Sequence, residues 1–174
     1  MHGSLKQYET LKTHHLNRIK NMKTFITASL IISSFLCNAQ SKKDSLEEAK
    51  KAIAKSNVQY FVLFEKNDPT LVNLYAEDAC LMVPDASPTA FCGRPAIATF
   101  FKEGYEKIGL RNGKFTTTKV YGDGAEFVTE EGVLEMYLAD GKLFDKGKYL
   151  VLWKKTKEGW KMYRDMFNSN GKLN

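Results

Sequence analysis

Between Lys114 and Ser169 apolar and polar residues alternate in four runs, separated by Gly122-Asp123-Gly124, Ala139-Asp140-Gly141 and Lys157-Glu158-Gly159. A period of two half-buries a strand, and Gly or Asp supplies tight-turn geometry, so the segment predicts a four-stranded antiparallel meander. Upstream the period lengthens. Ser45-Leu46-Glu47-Glu48 is a capping-box pattern, and Leu46, Ala49, Ile53, Tyr60 and Phe64 then fall near one face of a long helix ending before Asn67-Asp68-Pro69. Asp68 caps a second helix with Pro69 in its first turn, carrying Leu71, Leu74 and Tyr75 and stopping near Asp78. Two short strands follow, around Ala79 to Val83 and Ala90 to Cys92. Gly93-Arg94-Pro95 opens a third helix with Ile97, Phe100, Phe101 and Ile108 as its apolar face and Gly113 as its stop. The expected class is α+β, a curved antiparallel sheet wrapped around three N-terminal helices, with a pocket between them. No internal repeat or second domain is visible.

The N-terminal stretch stands apart from this pattern. Met22-Lys23-Thr24 forms a short basic region, Phe25 to Leu36 an apolar run, and Cys37-Asn38-Ala39 a small-residue site for signal peptidase. Cleavage is expected after Ala39, delivering a secreted or periplasmic chain. The run is shorter than the about 20 apolar residues a transmembrane helix needs, so no membrane span is expected in the mature chain. Residues 1–21 read as an extension upstream of a true start at Met22, or as a long basic region before the signal. Residues 40–44 read as a tether and 45–174 as the folded domain.

Removing that leader changes the chemistry on offer. It carries five basic residues and one acid, so only +2 of the formal +6 charge belongs to the rest. No Lys/Arg stripe remains, which argues against a nucleic-acid partner. The three histidines, at positions 2, 14 and 15, go with it. A domain without histidine lacks the usual zinc, facial-triad and Ser-His designs, and no metal or cofactor is expected. Cys80 and Cys92 flank Pro84-Asp85-Ala86-Ser87-Pro88, and pairing the strands about Ala86 sets the cysteines opposite each other. They read equally as a disulfide or as two buried thiols; no histidine is present to activate a catalytic thiol.

Tyr75-Ala76-Glu77-Asp78-Ala79, Gly93-Arg94-Pro95-Ala96-Ile97, Gly147-Lys148-Tyr149, Trp153, and Gly159-Trp160 through Asp165 to Ser169 occur in an order and spacing that resembles the nuclear transport factor 2-like superfamily. The similarity is greatest to its SnoaL-like and ketosteroid-isomerase-like domains, and it covers the chain from about Ser45 onward. It implies a cone-shaped, cystatin-like fold, a cavity on the concave face of the sheet and homodimerisation through the outer face. It does not specify an activity.

Steroid isomerases of this superfamily combine a carboxylate base with an oxyanion hole of a tyrosine and a protonated aspartic acid. Tyr60 matches that tyrosine, but the base falls at Val83 and the second acid at Val151, which excludes isomerase chemistry by that mechanism. Asp78 and Asp85 remain as carboxylates near the expected mouth, each also explained as a helix end or turn residue. In the last hairpin, a turn centred on Lys157 and Glu158 sets Trp153 opposite Met162 and Val151 opposite Arg164. These four, with Phe64, Tyr75 and Val83, are the expected ligand-binding residues. Core packing of Trp153 and Met162, with Arg164 paired to an acid such as Glu135, is the competing account. Asp165 then falls on the outer face with Leu150, Leu152, Tyr163 and Phe167, a surface apolar enough for a dimer. With the opposite parity, Asp165 becomes the leading pocket carboxylate and joins Tyr60 as the catalytic pair. Glu130-Glu131 reads as a solvated pair.

The expected function is an exported domain binding a small apolar or weakly anionic molecule. Two alternatives stand beside it. One is a cofactor-independent isomerase, dehydratase or hydrolase using Tyr60 with an aspartate; the other is an interaction module whose cavity its own side chains fill.

Overall fold

The computed structural model describes residues 44–84 and 89–171. The signal-like leader, most of the tether, and Asp85 and Ala86 in the turn between the cysteines lie outside the described residues. Helix α1 covers residues 44–65, and Ser45, read as its cap, already lies inside it. Its buried face is Ala49, Ile53, Ser56, Tyr60 and Phe64, the spacing of three and four that keeps side chains on one stripe.

Asp68 caps the next element by accepting from the Thr70 N–H at 2.8 Å. That element is a single 3-10 stretch, Pro69–Leu74, and the chain is already extended at Tyr75, where strand β1 (Tyr75–Met82) begins. The second helix is therefore shorter than the apolar spacing predicts, and Tyr75 belongs to the sheet. Strand β2 (Phe91–Cys92) pairs antiparallel with β1, setting Cys80 beside Cys92, and the two form a disulfide. Helix α2 (Arg94–Glu103) runs into one π turn (Gly104–Ile108). The helical run stops at Gly109, whose φ of 81° suits a residue without a Cβ, and not at Gly113. Gly113 lies in strand β3 instead, where a Cβ would sit 2.3 Å from the Phe61 ring, so its absence lets that ring lie across the strand.

Strands β3 (Leu110–Gly122), β4 (Phe127–Leu138), β5 (Leu143–Thr156) and β6 (Gly159–Ser169) form the meander, with turns where the Gly-Asp punctuation falls. The sheet order is β2-β1-β6-β5-β4-β3. β1 joins it parallel to β6, so the sheet is mixed. Its concave face meets α1 and α2, and the buried core includes Tyr75, Leu81, Ile97, Val128, Val151, Trp153 and Met162.

One irregularity decides which side chains face that core. Trp153 pairs with Met162, but Leu152 pairs with Arg164, leaving Tyr163 as an extra residue. This β-bulge reverses the parity of the rest of β6. Val151 pairs with Asp165, not Arg164, so Asp165 and Phe167 turn inward while Arg164 and Met166 turn outward.

The disulfide closes a loop with a sequence separation of 12. In the chain-entropy account such a loop contributes about 3 kcal/mol. Cys80→Ala with Cys92→Ala is expected to lower the unfolding free energy by that order in denaturant titration; a loss under about 1 kcal/mol would show that the clip adds nothing beyond its local pairing.

Candidate functional site

A cavity of about 70 Å³ lies between the concave sheet face and the two helices. Its rings come from all three: Tyr60, Phe61 and Phe64 from α1, Phe100 and Phe101 from α2, Phe115, Tyr149 and Phe167 from the sheet. Tyr60 meets Phe115 at 5.1 Å and Phe101 at 5.7 Å, both edge-on, the arrangement aromatic quadrupoles prefer. Phe115 meets Tyr149 at 4.9 Å. Leu81, Leu110, Leu134, Met136 and Ile108 complete the apolar wall, with Asn112 among them.

Among the described residues the one carboxylate lining this cavity is Asp165, only 6 % exposed. Tyr75 donates its hydroxyl to Asp165 Oδ2 at 2.6 Å. Burial pushes Asp165 up to about 6, against the stabilising Tyr75 hydrogen bond and with added repulsion from Glu130. Burial raises both phenols well above their ordinary value, and the Asp165 charge raises them further.

Glu130 is the second buried carboxylate, and it is fully enclosed. Its Oε1 accepts from Asn57 Nδ2 at 2.7 Å, Thr117 Oγ1 at 2.6 Å and Tyr149 Oη at 2.8 Å; its Oε2 accepts from Trp153 Nε1 at 3.0 Å. The solvated pair expected at Glu130-Glu131 is thus corrected: alternation puts Val128, Glu130, Gly132 and Leu134 inward. The signal was present in that phase, since an acid there falls on an otherwise apolar face. Gly132 pairs with Tyr149, and a Cβ on it would stand 2.7 Å from the Tyr149 ring. The bare glycine lets Tyr149 lie flat and reach Glu130 while its ring walls the cavity.

Of the residues singled out from the sequence, Tyr60, Phe64 and Asp165 line the cavity. Tyr75 stands behind Asp165 as its donor. Val151, Trp153 and Met162 are buried core outside the lining, and Val83 is half-buried against the same core. Arg164 is carried away from the cavity by the bulge. Its guanidinium lies 3.7 Å over the Tyr163 ring and donates to the Asp78 carbonyl at 3.1 Å, so it does not pair with Glu135, which is held by Lys146. Asp78 is exposed and pairs with Lys154; Asp85 lies outside the described residues. Among the described residues no group of three or more His, Cys, Asp or Glu could hold a metal ion, and no helix is long and apolar enough to cross a membrane.

No family model and no curated protein matches the chain. Solved structures do. A protein of unknown function with a cystatin-like fold from Nostoc punctiforme superposes with a TM-score of 0.61 at 17% identity, over 71% of this chain and 78% of that one. A ketosteroid isomerase-like protein from Erwinia carotovora atroseptica gives 0.56 at 20% identity, over 69% and 95%. A protein described as a putative scytalone dehydratase from Novosphingobium aromaticivorans gives 0.59 at 17% identity, over 74% and 89%. Others are described as nuclear transport factor 2-like. The chain has this cystatin-like, nuclear transport factor 2-like fold.

Because Asp165 titrates higher when folded than its ordinary 3.8, its protonated form favours the fold. That contribution is complete below about pH 4 and is lost as pH rises through about 6, on the order of 3 kcal/mol in all. Asp165→Asn removes the titration. Between pH 4 and pH 8 the variant is expected to gain stability relative to the parent protein; a difference that stays constant across this range would refute the raised value.

Proposed function

We propose that this is an exported domain that binds a small apolar molecule in the aromatic cavity, with one polar group of the ligand directed at Asp165. The observation that carries this reading is the cavity itself, apolar on nearly all sides and lined, among the described residues, by a single carboxylate. The anionic ligand expected from the sequence rested on Arg164, which faces away, and it is dropped. Complete closure by the protein's own side chains is disfavoured, because about 70 Å³ stays open among the rings. Export is supported by the leader pattern and by the Cys80–Cys92 disulfide, a bond that persists in oxidising compartments. Homodimerisation belongs to the same reading. It is supported by Leu150, Met166 and Phe144, exposed large apolar side chains in β5 and β6, and sedimentation of the purified chain reads it directly.

A second reading is favoured by the Asp165 value near 6, which suits a general base at neutral pH. The solved structures described as isomerase-like and as a putative dehydratase share the fold and support proton-transfer chemistry as its class. On this reading, turnover of any substrate rises as pH passes about 6 and disappears in Asp165→Asn. A flat pH profile, or an active variant, would leave the site as a binding pocket only.

The binding reading is tested by filling the cavity. Leu134→Phe places extra volume at a lining position, at a cost of about 1–3 kcal/mol from overpacking. A compound that raises the melting temperature of the parent protein is expected to lose that effect in the variant. An unchanged shift would put the binding site elsewhere.

A further inference from the structure

The polar atoms around the cavity are not symmetric in what they offer a ligand. Asp165 Oδ2 is taken by the Tyr75 hydroxyl. Among the described residues no donor reaches Oδ1, and Asp165 lines the cavity although it is more than nine-tenths buried. Two of the phenol protons nearby are already committed. Tyr75 donates to Asp165 and Tyr149 donates to Glu130. Asp165 therefore offers the cavity an acceptor that no donor among the described residues fills.

Charge points the same way. Asp165 lines the cavity, Glu130 lies behind the Tyr149 wall, and no lysine or arginine is among the lining residues. Arg164 and Lys154 sit outside, against the Tyr163 ring at 3.7 Å and 4.7 Å. An entering carboxylate would meet two buried negative charges and no cation, whereas a neutral hydroxyl would fill the one open acceptor. Size adds a limit. About 70 Å³ is half of the roughly 150 Å³ apolar cavity that admits benzene, so the part inside is slender, and the remainder can lie on Ile108, half-exposed at the lining's edge.

We propose that the cavity is a site for a small uncharged alcohol whose hydroxyl donates to Asp165 Oδ1 and whose carbon chain lies among the rings. This rests on the small-molecule reading above and names its ligand class.

The test is an NMR titration of the full chain at pH 8 with pentan-1-ol, with pentanoate as the anion, and with butyl methyl ether as a near-isostere that cannot donate. The methyl signals of Leu81, Leu134 and Ile108 report entry. The alcohol is expected to move them with an affinity about tenfold or more above that of the ether, and pentanoate to leave them unmoved. Asp165→Asn keeps the shape but can turn an amide N–H₂ toward the cavity, so the alcohol's advantage should vanish and pentan-2-one, an acceptor, should bind better. Equal binding of alcohol and ether, tighter binding of pentanoate, or an unchanged alcohol preference in Asp165→Asn would overturn this inference while leaving a small-molecule pocket. If none of the probes moves the cavity methyls, the inference and the binding function fall together.

Discussion

A buried negative charge without a cation has to be held by neutral donors, and Glu130 is held by four of them. They come from α1, β3 and β5, while the acid itself stands on β4. A carboxylate taken out of water loses several kcal/mol of hydration, which only a complete set of hydrogen bonds offsets. The four elements therefore cannot shift independently, because moving any one leaves a donor or the charge unsatisfied. The position of Tyr149 in the cavity wall follows from this arrangement.

Asp165 lies on the same concave surface under different conditions. Glu130 has four donors, but among the described residues Asp165 has one, Tyr75. One hydrogen bond does not offset its burial, so its protonation equilibrium moves toward neutrality. The two acids also repel, which adds to the effect. A satisfied carboxylate serves as structure; an under-satisfied one facing a cavity is chemically available. That contrast separates the two residues by hydrogen-bond supply, since both are buried acids.

The aromatic rings set the scale of what can happen there. Edge-to-face contacts among Tyr60, Phe101 and Phe115 are stiff and leave a narrow space. Solved structures of the same fold share only 14% and 20% of their sequence with this chain, so the fold is compatible with very different residues.

Local pattern determined the elements. The period-two runs and Gly-Asp turns were sufficient for the meander, the three-and-four spacing for the buried face of α1, and the turn chemistry between the cysteines for their opposition. Those features depend on neighbours in sequence, so they can be read there. Tertiary structure decided the site. A single extra residue at Tyr163, set where β6 pairs with both β5 and β1, turned Asp165 in and Arg164 out, and a count from the hairpin turn could not show it. Tyr75 became a strand residue, and Asp165's donor, through the parallel pairing of β1 with β6. Whether an acid is solvated, satisfied or exposed to a cavity depends on donors up to 90 residues away along the chain, and that supply exists only once the sheet has closed over the helices.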